Sequence, residues 1–303
     1  MLLSIISLFV GIADISMKDI LVGNREALFL FTISRIPRTV ALILSGVGLS
    51  VSGMIMQQTM QNKFVSPTTT GALEAAKMGM LASLILFPSS GVVSRMLFSF
   101  VFTLSASALF LKIVEKTRYR NAILIPLVGL MFAGILGSIS TFIAVQKNIV
   151  QDTNAWMIGD FSSILEGRYE LIYLSLPAVL LTYLYANKFT VLGMGEDFSR
   201  NLGLNYRRVM NLGLFCVSLT VSTIVITAGA IPFLGLVIPN IISMLMGDNL
   251  RKTLHYIALL GAIFVIICDI IGRIVIYPFE IPIGLMVGIV GGVIFLVLLL
   301  KKR

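Results

Sequence analysis

The sequence predicts an all-α, polytopic membrane protein with about ten transmembrane helices. Three observations predict it. First, 57% of the 303 residues are hydrophobic and 12% are charged, and the mean hydropathy is +1.00; an average soluble domain has roughly 25% charged residues. Second, apolar runs near the ~20 residues needed to cross a ~30 Å hydrocarbon layer recur along the chain. Third, charge alternates in sign bias from loop to loop. Together they exclude a soluble enzyme, a disordered chain and a nucleic-acid-binding domain. The net charge of +9 then reads as cytoplasmic loops held by the positive-inside rule.

In chain order the apolar runs cover 1–13, 39–60, 68–87, 92–113, 122–145, 170–187, 210–228, 233–247, 254–276 and 282–300. The first is short for a span, and no Lys or Arg precedes it as a secretory leader would require. It reads as the remnant of a longer first helix or as a truncated start. The others are expected to be helices, because only helices satisfy the backbone in lipid at these lengths. If 61–67, 112–120, 188–208, 248–252 and 301–303 face the cytoplasm, they hold 14 basic and four acidic residues, and the opposite side holds eight of each. Both termini are then cytoplasmic. No extramembrane stretch exceeds about 25 residues, too few for a soluble domain, so 1–303 is expected to form a single transmembrane domain.

The chemistry-bearing residues are few. Gly-Lys occurs nowhere, so the chain has no phosphate loop, and any nucleotide hydrolysis that powers it belongs to another chain. Cys216 and Cys268 lie inside apolar runs and read as packing residues, and a single His255 leaves no room for a histidine-rich metal site. Small residues recur at four-residue spacing in Gly284-Gly288-Gly292 and Gly129-Ala133-Gly137, stripes that let helices approach closely. Internal packing is the plainer reading of these stripes, with a subunit interface or mobile gate as the alternative. In 192–204, Glu196, Asp197 and Ser199 supply helix-start residues between glycines 193, 195 and 203. Phe198, Leu202 and Leu204 give that short helix an apolar face, read as a docking surface or as a helix on the lipid interface.

Arg35 and Arg38 stand at the outer end of the second span, and Arg273 at the outer end of the ninth, one turn after Asp269. They read either as lipid anchors and local pairs or as fixed charges for an acidic partner outside. The segment 228–239 places Gly229, Pro232, Gly235 and Pro239 at a span junction. Broken helices at membrane depth belong where they are buried or line a cavity, which points to a pathway. Glu74 and Lys77 lie about two turns inside the third span and read first as a structural ion pair.

These stretches together resemble the permease family that imports ferric siderophores, haem and cobalamin through ATP-binding-cassette transporters. The resemblance runs from Arg35-Ile-Pro-Arg38 through Gly46, Gly53, Gln57, Pro67 and Gly71 to Gly195-Glu196 and Leu202-Gly203. It continues through 229–239, Asp269, Arg273, 280–284, Gly292 and Phe295. It implies a type II importer permease fold of ten transmembrane helices in a bacterial cytoplasmic membrane. It implies a second permease subunit, identical or not, and two ATPase subunits that bind ATP-Mg, leaving this chain without a cofactor or a catalytic residue. Those ATPases are expected to dock on about 193–207, including Glu196, Asp197, Phe198, Arg200, Leu202 and Gly203. An extracytoplasmic binding protein is expected to dock by its glutamates on Arg35, Arg38 and Arg273. Asn121, at the start of the fifth span, is expected to be a gate residue, alongside Gly229, Pro232, Gly235, Pro239, Glu74 and Lys77 on the pathway.

Where many members carry Pro-His and then Arg, this chain has Pro239-Asn240 and Ser243, and it has Asn62-Lys63-Phe64 for their Asn-Pro-Leu. Such departures resemble the subgroup serving catecholate-type iron siderophores, in which two different permeases are paired. The expected function is therefore uptake of a ferric siderophore delivered by the binding protein. Import of haem or cobalamin is the alternative within the family. An ion-coupled secondary transporter using Glu74, Lys77 and Asp269 is an alternative outside it, whereas a polytopic enzyme lacks the required polar cluster.

Overall fold

In the computed structural model, residues 2–11, 22–89, 91–116, 124–167 and 169–301 are described. They are helical and connecting segments. Among them there is no β-strand, only one isolated parallel bridge between Ile158 and Ala230. The helices are α1 (Leu2–Phe9), α2 (Arg25–Thr59), α3 (Ala72–Leu86), α4 (Val92–Lys116), α5 (Leu124–Gln146), α6 (Val150–Met157) and α7 (Glu170–Leu184). They continue with α8 (Ala186–Leu192), α9 (Glu196–Asn201), α10 (Tyr206–Ala228), α11 (Leu234–Met246), α12 (Leu250–Ile274) and α13 (Ile283–Lys301). Six of these (α2, α4, α5, α10, α12 and α13) are long and apolar enough to cross a membrane. The other four apolar runs coincide with the shorter helices α1, α3, α7 and α11.

Two boundaries differ from the sequence expectation, each for a local reason. The second span begins at Arg25 rather than 39, so Arg35 and Arg38 lie within α2. Asn24 starts it by accepting a hydrogen bond from the Glu26 amide (3.1 Å). Pro37 has no N–H to give to the Ile33 carbonyl. The helix passes this point as a π turn over Phe31–Arg35, and the Glu166 amide donates to the Ile33 carbonyl instead (2.9 Å). The sixth span also breaks near Tyr185, dividing 170–187 between α7 and α8.

The core is organised around α2, whose most apolar window is 83% buried. Glycines bring its backbone against two neighbours. A Cβ added at Gly53 would lie 1.9 Å from the Gly235 carbonyl oxygen of α11, and one at Gly46 would lie 2.6 Å from the Gly261 carbonyl oxygen of α12. Backbone cannot yield to such contacts, so only glycine fits there. Both small-residue stripes pack inward in the same way. Gly129 faces the Thr69 carbonyl, and Gly284 faces Gly159, whose carbonyl accepts from its amide (2.8 Å). Both cysteines are buried. At the periphery, α5 and α13 each have only 22% of their most apolar window buried. On α13, Leu285, Ile289, Val293, Leu296 and Leu300 form a continuous exposed apolar face.

Candidate functional site

Two opposite ends of the bundle carry the sequence-predicted residues. One end, outer by the loop-charge reading, is an ionic cluster. Arg35 and Arg38 come from α2, one turn apart. Asp269 and Arg273 come from α12, also one turn apart, and Glu280 comes from the connection to α13. The Arg38 guanidinium donates to Asp269 Oδ1 from Nη2 (2.7 Å) and Nε (3.2 Å), and to Glu280 Oε2 from Nη1 (2.7 Å). Arg273 pairs with Asp269 Oδ2 and donates to the carbonyls of Ser7 (3.1 Å) and Val10 (2.7 Å) at the end of α1. Arg35 also donates to the Val10 carbonyl. Terminal helix carbonyls have no partner within their own helix, and these two cations satisfy them, fastening the short α1 to the bundle.

The Asp269–Arg273 pair was legible from its i, i+4 spacing. The Arg38 pairs, which span 231 and 242 residues, leave no local signal. Asp269 and Arg273 are each 3% exposed, and a buried charge is tolerated only when paired and hydrogen-bonded. Among the described residues the cluster brings together three guanidinium groups and two carboxylates. Arg35 and Arg38 also line an open groove of about 450 Å³ with Ser34, Ser162, Phe279 and Glu280. A carboxylate entering from outside would reach Arg38 only in competition with Asp269 and Glu280.

The other end presents α9. Gly195 enters it at φ +110° and Gly203 leaves it at φ +74°, backbone angles that favour glycine. Past Gly203 the chain turns back. The Leu204 amide donates to the Ser199 carbonyl (2.9 Å) and the Gly203 amide to the Arg200 carbonyl (2.9 Å), closing the helix in the usual glycine-terminated way. Ser199 Oγ donates to the Val191 carbonyl (2.9 Å), tying α9 to α8. Glu196 and Arg200 form an exposed pair (2.5 Å). Phe198 and Leu202 point outward, 50% and 61% exposed. Leu204 does not join them: the glycine turn carries it inward against the core, and Met194 takes its place on the exposed face.

The pathway candidates divide. Gly229, at φ +80°, ends α10 and borders an outer cavity. Pro232 packs against Gly288 of α13, and Gly235 packs against the backbone of α2. Pro239 lies inside α11. Glu74 and Lys77 are 3.8 Å apart, and Glu74 faces Gly137 of α5. Asn121 lies outside the described residues. Sequence reading missed a polar link on the α9 side of the bundle. There Lys63 Nζ meets Ser243 Oγ (2.5 Å) and Asp248 (2.9 Å), and Asn240 Nδ2 donates to the Lys63 carbonyl (2.7 Å). It joins the two stretches, at Lys63 and at Asn240 and Ser243, where the sequence departs from the resembled family.

Comparison with known proteins agrees with this architecture. The profile of the FecCD transport family matches residues 1–301. The chain is 50% identical over 303 residues to the petrobactin import system permease protein YclN of Bacillus subtilis (strain 168), covering all of this chain and 96% of that one. It is 47% identical over 295 residues to the ferric-anguibactin transport system permease protein FatD of Vibrio anguillarum, covering 97% and 94%. The fold matches a solved ABC transporter structure of metal-chelate type, in an inward-facing conformation. That match has a TM-score of 0.83 at 21% identity and covers 99% of this chain and 96% of that one. Ten apolar helical segments, a family profile spanning nearly every residue and relatives aligned end to end lead to one conclusion: the chain belongs to the FecCD transport family of membrane permeases.

Proposed function

We propose that this chain is the membrane-spanning subunit of an ATP-binding-cassette importer that takes up a ferric siderophore from an extracytoplasmic binding protein. The observation that carries this reading is the end-to-end identity with two permeases named for petrobactin and ferric anguibactin import. It works in a bacterial cytoplasmic membrane with both termini inside, alongside a second permease subunit and above two ATPase subunits that bind ATP-Mg. The chain itself performs no covalent chemistry and holds no cofactor. The second subunit covers the apolar faces that α5 and α13 leave exposed, and the substrate passes between the subunits.

Several features support the division of labour. The α9 helix is rigidly anchored and shows Met194, Phe198 and Leu202 to solvent, which suits a hydrophobic contact with an ATPase subunit. Around it, Glu196, Asp197 and Arg200 supply a polar rim, and Gly203 sets the turn. At the other end, Arg35 and Arg38 line an open groove that suits binding-protein carboxylates, with the buried Arg273 behind them holding Asp269 and the end of α1. The junction 229–239, with Asn121, Glu74 and Lys77, is where helix reorientation would change access to the pathway. The test is reconstitution. Vesicles containing this chain, its partner permease and the ATPases should accumulate a ferric siderophore only with ATP inside and binding protein outside. Uptake by the permease without ATPase subunits would overturn the reading. E196A/L202A should uncouple ATP hydrolysis from uptake while the protein remains folded.

A further inference from the structure

Besides the ionic cluster, the outer end holds a second cation in a different setting. Arg95, in the first turn of α4, lines a half-open cavity of about 280 Å³ with Leu84, Trp156, Asp160, Ser163 and Val225. Its Nε is buried and has no hydrogen-bond partner. Among the described residues, no carboxylate lies within 4.0 Å of its guanidinium, in contrast to Arg38 and Arg273. Asp160, the acid of this cavity, is occupied locally by the Ser162 amide (2.9 Å) and hydroxyl (2.7 Å). The N-terminus of the 25-residue α4 adds positive potential at the same place. A guanidinium half-removed from water, with a buried Nε that bonds nothing and an Asp160 turned to its own Ser162, can still accept an anion.

We infer that the Arg95 cavity receives an acidic side chain of the binding protein. The inference rests on the docking reading above and adds a contact to it. Size argues against the chelate itself, because 280 Å³ is below the ~300–1,000 Å³ of pockets that enclose drug-sized ligands. A single Asp or Glu side chain fits. Position argues for the binding protein. The turn 160–163 separates this cavity from the Arg35–Arg38 groove, with Asp160 and Ser163 on one side and Ser162 on the other. One partner surface lying across that turn reaches both.

The experiment measures the affinity of the fluorescently labelled binding protein for the assembled transporter in nanodiscs at low salt. R95A should weaken it about 10-fold or more, the loss expected when one charge-assisted contact of about 1.5–3 kcal/mol is removed. R95K should stay within about threefold of wild type, because the charge remains. D160N, which removes a nearby negative charge, should tighten binding. S163W, which fills the cavity mouth and leaves Arg95 in place, should weaken it, and it decides the matter if R95A does not assemble. Affinities of R95A and S163W within twofold of wild type would overturn the inference, as would a change in chelate uptake with binding-protein affinity intact. If raising the salt concentration still weakens docking in that case, the charge-based docking reading survives without Arg95. If wild-type transporter binds no binding protein, both fail.

Discussion

Asp269 is the residue on which the outer ionic cluster turns, and D269N isolates its charge from its shape. The carboxylate accepts two bonds from Arg38 and pairs with Arg273 through its other oxygen. Replacing it leaves Glu280 as the cluster's one carboxylate among the described residues, in a buried site. Breaking a buried ion pair by removing one partner costs about 3–5 kcal/mol. Here Arg38 keeps Glu280 at 2.7 Å and Arg273 keeps two carbonyls, so the lower end applies, about 3 kcal/mol. At roughly 2 °C per kcal/mol for a large chain, the unfolding midpoint should fall by about 6 °C. Intrinsic fluorescence during heating, with both proteins in one detergent, reads this directly. E280Q is the internal control: its side chain is 18% exposed and holds one bond, so its loss should be about 1 kcal/mol. A midpoint for D269N within 1 °C of wild type, or below-wild-type shifts in which E280Q exceeds D269N, would refute the reasoning.

Other expectations follow from the same geometry. G53A drives a methyl group into the Gly235 carbonyl, and should reduce the yield of monodisperse protein on size-exclusion chromatography, at a cost above the ~1–3 kcal/mol of ordinary overpacking. K77M leaves the Glu74 carboxylate without its cation and should be less stable than E74Q/K77M, a comparison that thermal unfolding of the three proteins makes. F198A and L202A remove exposed side chains, so their stabilities should stay within ~0.5 kcal/mol of wild type by thermal unfolding. Co-purification of the ATPase subunits should nonetheless fall. D248N weakens a pair in which both side chains are at least 40% exposed, and should cost under about 1 kcal/mol despite its short contacts.

The helical architecture was legible because burial in lipid demands long apolar runs, and every run met a helix. The start of the second span was not legible. Its first turns carry Arg25, Glu26, Arg35 and Arg38, which depress local hydropathy; the first two are exposed, and the partners of Arg35 and Arg38 lie far off in sequence. The apolar face of α9 was read correctly for Phe198 and Leu202 from helical spacing. It failed at Leu204 because Gly203 takes a left-handed turn, after which the period no longer applies. The i, i+4 pair in α12 was visible in sequence. The convergence of Arg38, Asp269 and Glu280, the closeness of Gly53 to Gly235, and the vacant side of Arg95 are products of tertiary packing with no local signature.

The glycine contacts of α2 also bear on movement. Its backbone is seated against α11 at Gly53 and against α12 at Gly46, and neither contact leaves the ångström or two of slack that sliding would require. These three helices therefore travel together, like a mast with its stays. Any rearrangement that passes through the 229–239 junction must turn α11 together with α2 and α12 rather than apart from them.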